Sequence, residues 1–161
     1  MLALRYAAVL ALALWTGGLT VLGALASPAA IDVLGAGGVE GRSLAAAVTG
    51  EMLRRFNPIA YSCAVVILLS LGVRGVLGPR PRRFAFRLAC LVLMLTAAIY
   101  AGAVIAPRIE QTQRSIGAPP STLARDDPRR IEFGRLHGLS VTLQLVPLLG
   151  GLALLFWELK D

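Results

Sequence analysis

The chain has 161 residues, of which 57% are hydrophobic and only 16% charged, with a mean hydropathy of +0.73 and a formal net charge of +7. Such a balance fits a chain whose solvent is lipid, and the length committed to apolar runs excludes a large soluble catalytic domain. The basic excess reads as membrane topology and contact with anionic lipid, because no platform of interleaved aromatic and basic residues accompanies it; nucleic acid is not an expected partner.

Residues 4–25 form the first apolar run, with Arg5 near its start. Its end, Ala24-Leu25-Ala26, imitates a secretory cleavage site, yet the run exceeds the usual signal core of about 7–15 residues, so a retained span is expected. Trp15, Gly17 and Gly18 form a candidate helix-packing patch, with a substrate-lining role as the alternative. Pro28 and the glycines that follow it, in SPAAIDVLGAGGVEG, predict a loop or short re-entrant element. Leu44, Val48, Met52 and Phe56 then recur every four residues, the pattern of an amphipathic helix that precedes span two or is continuous with it.

The second run, residues 58–77, starts at Pro58 and carries Arg74 near its end, where a long side chain can snorkel to the interface. GPRPRRF follows. Arg80, Arg82, Arg83 and Arg87 make a short basic hairpin without an acidic residue, which the positive-inside rule places in the cytoplasm together with both termini of a four-span chain. The third run, residues 88–106, ends at Pro107 and Arg108. Residues 107–135 are too polar to cross hydrocarbon and form the long connection on the other side, although Arg108, Arg114, Arg125, Arg129 and Arg130 reduce the charge asymmetry.

The fourth span covers residues 138–157. Leu139 to Trp157 is free of formal charge, and at ~1.5 Å per residue it makes a helix about 28 Å long, against a hydrocarbon core of roughly 30 Å. Pro147, Gly150 and Gly151 within it predict a bend or a tight packing site. The expected fold is therefore all-α: a single domain, residues 1–161, forming an integral membrane bundle of four transmembrane helices plus the amphipathic helix before span two.

Chemical motifs are sparse. Cys63 and Cys90 lie inside apolar runs and read as buried thiols, and one histidine per chain cannot build a multi-histidine metal cluster. No catalytic or cofactor-binding residue, metal site or cofactor is expected, and no enzyme motif is present. The candidate cluster is Arg108, Glu110, Arg135 and His137, which share one membrane face if span three ends and span four begins there. Ser140 stands three residues from His137, and Gln144 is the amide deep in a span. Pairing that closes the bundle comes first, because unpaired charges near hydrocarbon are expensive. Binding of an anionic ligand, proton handling or haem or metal ligation by His137 are the alternatives.

Trp15-Thr-Gly-Gly, Pro28-Ala-Ala-Ile, Ala106-Pro-Arg-Ile and Phe133-Gly-Arg-Leu-His-Gly-Leu-Ser together resemble the layout of the DUF4149 or transmembrane protein 205-like family. The resemblance covers nearly the whole chain. It implies a small four-span integral membrane protein of poorly defined activity, retention of the first segment, and a shared role for Pro107, Arg108 and His137. A eukaryotic relative is associated with resistance to a platinum drug, which implies export or trafficking as one direction. The expectation is a structural or accessory subunit of a membrane assembly in the bacterial inner membrane, with lipid, a membrane partner or a second copy around it. A small transporter or channel-like subunit is the alternative, and a haem or metal redox subunit the third reading.

Overall fold

The computed structural model describes residues 2–78 and 82–160. Among them are four helices long and apolar enough to cross a membrane: α1 (Leu2–Gly35), α2 (Gly38–Leu77), α3 (Phe84–Ile116) and α4 (Pro128–Lys160). Helix is the outcome because lipid offers no partner for backbone N–H and C=O groups, so each must be satisfied within its own segment. α2 has 40 residues and rises about 60 Å, roughly twice the ~30 Å hydrocarbon core. The amphipathic stretch around Leu44 to Phe56 and the second span are thus one continuous helix.

Two sequence breaks fall inside helices. Pro28 sits in the first turn after a π-helical turn at Leu22–Ala26, where a missing N–H is tolerated because the wider turn has already changed the hydrogen-bond register. The glycine-rich stretch after it contracts to a turn at residues 36–37, followed by Gly38 in the left-handed region at φ 77°. Pro107 likewise follows a π-turn, Ala101–Ile105, and the helix continues to Ile116 instead of ending at Arg108. Gly117, at φ 66°, stops it, with its N–H on the Gln113 carbonyl at 3.3 Å. Beyond a single 3-10 turn at Pro120–Thr122, Asp127 caps α4: its Oδ1 accepts the Arg129 N–H at 2.9 Å, with Pro128 as the first helical residue.

Packing divides the molecule into two halves. The core, built on Leu12, Trp15, Cys63, Ala64, Ile67, Leu91, Met94 and Leu154, lies in the half that holds both chain ends and the hairpin between α2 and α3. Small residues let the helices close up there. A side chain at Gly151 would overlap Thr16, and one at Gly150 would meet Met94 Cγ at 2.7 Å. In the other half burial nearly vanishes: Ala45 is the one buried residue among 22–59, and none of 106–116 or 128–146 is buried. There the chain forms two arms, the α1–α2 hairpin and the α3–α4 hairpin. Exposed Leu10, Leu14, Leu69, Leu93 and Leu152 face outward around the packed half, as lipid permits and water would penalise.

The two hairpins are related. The π-turn of α1 and its Pro28, written Gly23-Ala-Leu-Ala-Ser-Pro28, recur in α3 as Gly102-Ala-Val-Ile-Ala-Pro107. Ahead of each turn, in the same register, stand the buried pairs Leu12 and Leu91, and Trp15 and Met94. Both hairpins start at the end with the chain termini, so α1 and α3 carry this pattern as a parallel repeat.

Candidate functional site

The last backbone carbonyls of α4 have no partner within their own helix and carry the negative end of its dipole. Three arginines, one from each other helix, converge on it. Arg87 of α3 donates from Nη1 to Glu158 Oε1 at 2.7 Å and from Nη2 to the Trp157 carbonyl at 3.1 Å. Arg74 of α2 gives its Nη1 to both Glu158 oxygens, at 3.0 and 2.9 Å. Arg5 of α1 donates from Nη2 to the Glu158 carbonyl, with its Nε 4.0 Å from Oε2.

The exposures rank the three. Arg87 retains 2% of its side-chain surface and Glu158 6%, Arg74 11%, while Arg5 keeps 34%. One carboxylate therefore ties four helices together, and guanidinium is the group suited to it, because its planar fork can hold a carboxylate while it also caps carbonyls. Beside the knot, Arg83 adopts a left-handed φ of 56° at the entrance to α3 and places its guanidinium 4.3 Å from the Trp157 ring centroid. Arg82 is exposed, and Arg80 lies outside the described residues. Below the knot, Ala8, Leu12, Ile67, Leu71 and Leu154 enclose only about 10 Å³, room for about one water and not for a substrate.

The sequence singled out a different cluster. Arg108, Arg135 and His137 are exposed. Glu110 pairs with Arg114 one turn on, and it lies near enough to Arg54 of α2 to favour that cation across the gap between the arms. His137 stacks on Phe133 at 6.3 Å between ring centroids. Gln144 reaches Ser140 Oγ at 3.4 Å. Among the described residues no hydrogen bond or ion pair joins Arg108, Glu110, Arg135 and His137 to one another, and no group of three or more metal-ligating side chains is placed to hold an ion.

The packing residues divide as well. Trp15, Pro147 and Gly151 are buried, and a side chain at Gly18 would overlap the Phe56 ring, whereas one at Gly17 would meet nothing within 4 Å. Pro28 stands in the helix just past the first π-turn. Arg5, Arg74 and Glu158 were not recognised from sequence, and Arg87 was read only for topology. A signal was present: each apolar run has a charged residue within it or directly beside it at the same end of the bundle, namely Arg5, Arg74, Arg87 and Glu158, and three of the four are arginine.

Four helices long and apolar enough to cross a membrane, with exposed leucines around them and an ion knot at one end of the bundle, define a small multi-pass α-helical membrane protein. The chain belongs to the DUF4149 family, described as a domain of unknown function, whose model matches residues 10–117. That segment runs from α1 to the end of α3, so Arg74 and Arg87 lie within it and Arg5, His137 and Glu158 outside it. No curated protein and no solved structure matches the chain.

Proposed function

We propose that the protein is an accessory subunit of a bacterial inner-membrane assembly, anchored by its packed half and docking a membrane partner through its two arms. The observation that carries this reading is the contrast between the halves. Four helices locked on Glu158 make a rigid base, while the arms extend helices of 33 to 40 residues past the core with Ala45 as their one buried residue. Helix length costs conformational entropy that burial normally offsets, and a partner would supply that burial. The basic hairpin supports cytoplasmic termini and arms on the opposite side.

Native purification of the full chain tests the proposal. A partner of fixed stoichiometry should copurify, and disruption of the α1–α2 arm, for instance by Ala45→Glu, should release it. Recovery of a solitary chain that drives solute flux in vesicles would defeat it.

A transporter-like subunit is the second reading, favoured by one observation. Glycine and proline interruptions at corresponding positions of two repeats are the pattern by which transport folds mark a site at the repeat interface, and Gly23 to Pro28 and Gly102 to Pro107 supply such a pair. Reconstituted vesicles should then show solute movement that depends on Gly102, and none would be seen if the repeat is purely architectural.

A further inference from the structure

We infer that the end of the bundle carrying the knot is a binding site for the phosphate of an anionic phospholipid, seated on Arg5, Arg82 and Arg83 with Arg74 behind them. Among the described residues this end holds Arg5, Arg74, Arg82, Arg83, Arg87 and Lys160 against the single carboxylate of Glu158. Arg87 is committed to Glu158 and Trp157. Arg74 spends one nitrogen on the carboxylate, and Arg5 spends one on a carbonyl, so both retain donors. Arg83 holds its guanidinium carbon 4.3 Å from the Trp157 ring centroid, and among the described residues its side-chain N–H groups have no hydrogen bond, which leaves them for an acceptor. Among the described residues of this end, donors thus outnumber acceptors.

The surroundings favour a lipid over free phosphate. The knot lies level with Tyr6, Phe86 and Phe156, all exposed aromatic side chains, and with Trp157, the residue types that settle at headgroup depth. Leu2, Leu10 and Leu159 are exposed beside it and would be covered by acyl chains. A phosphate diester held by guanidinium at the rim and by apolar contact below fits both features; inorganic phosphate or a nucleic acid strand satisfies only the first.

The test is native mass spectrometry of the full chain, exchanged into neutral detergent with equal mole fractions of phosphatidylglycerol and phosphatidylcholine. Phosphatidylglycerol should be retained about tenfold over phosphatidylcholine, the preference expected from one to two arginines near a headgroup. Arg82→Gln with Arg83→Gln, both at exposed positions outside the knot, should bring the two lipids toward equal retention, with helix content and thermal stability unchanged. Equal retention by the unaltered chain, or a preference indifferent to the double substitution, would overturn the inference. So would displacement of the lipid by inorganic phosphate at matched concentration, or tighter capture of a single-stranded oligonucleotide.

Discussion

Arg87 and Glu158 meet at 2.7 Å with both side chains almost fully withdrawn from the surface. A pair buried to this degree gains little over apolar residues of similar volume, because desolvation offsets most of the attraction, but the loss of one partner strands the other. Glu158→Gln removes the charge that three arginines share and should destabilise the bundle by about 3–5 kcal/mol. Replacing Arg74, Arg87 and Glu158 together with methionine should recover a large part of that loss, because no nearly buried charge is then left without its partner. Unfolding in mixed micelles of rising denaturing-detergent content, followed by far-UV circular dichroism, measures both. If Glu158→Gln unfolds like the unaltered chain, the knot is not what holds the four helices.

The reversal between α1 and α2 depends on Gly41, whose added Cβ would overlap the backbone carbonyl of Leu34. A backbone atom cannot rotate aside as a side chain does. Gly41→Ala should therefore open the hairpin and cost roughly 1–3 kcal/mol, the range for overpacking a close contact. The expected readout is selective proteolysis near residues 36–42 with the packed half still protected. Uniform protection along the arm would show that the turn relaxes without cost.

Asp127 gives a pH dependence whose sign follows from its partners. Side-chain and backbone hydrogen bonds from Arg129 hold its carboxyl below the usual value. A depressed folded-state value means that its contribution is present above the unfolded pKa, about 3.9, and is lost as pH falls through the lower folded one. Protection of the first-turn amides of α4, taken relative to the intrinsic exchange rate at each pH, should thus be high near neutrality and fall in acid. Asp127→Asn should lose the acid-sensitive component, and Asp127→Ala should leave the turn frayed at every pH.

Hydropathy made the four spans legible, because nearly twenty apolar residues in succession have few other uses. The amphipathic repeat from Leu44 to Phe56 was legible for the same reason, and its merger with span two followed from having no breaker except Pro58. The π-turns were not legible as helix. Pro28 and Pro107 normally signal an end, and only the wider turn before each lets the helix continue. The ion knot was not legible in the same way: His137 and Arg108 stand out as chemical types, whereas Arg5, Arg74 and Glu158 come together through their shared depth. Depth follows from the register of four helices, which no single segment displays.

The repeat itself gives the sharpest comparison, because its two glycines are equivalent in sequence and unequal in surroundings. A Cβ at Gly102 would sit 2.8 Å from both Asn57 Nδ2 and Tyr61 Oη, while one at Gly23 would meet nothing within 4 Å. Gly102 is where α3 crosses α2, with the Tyr61 hydroxyl 3.5 Å from the Ala98 carbonyl; Gly23 faces outward on α1. Gly102→Leu should push the hairpins apart and cost about 1–3 kcal/mol, while Gly23→Leu should stay within roughly 0.5 kcal/mol of the unaltered chain. Thermal unfolding of both variants in the same detergent decides it. Equal losses would mean that the two turns tolerate no side chain for reasons of their own geometry, and the crossing of α2 and α3 at Gly102 would then not be what joins the two hairpins.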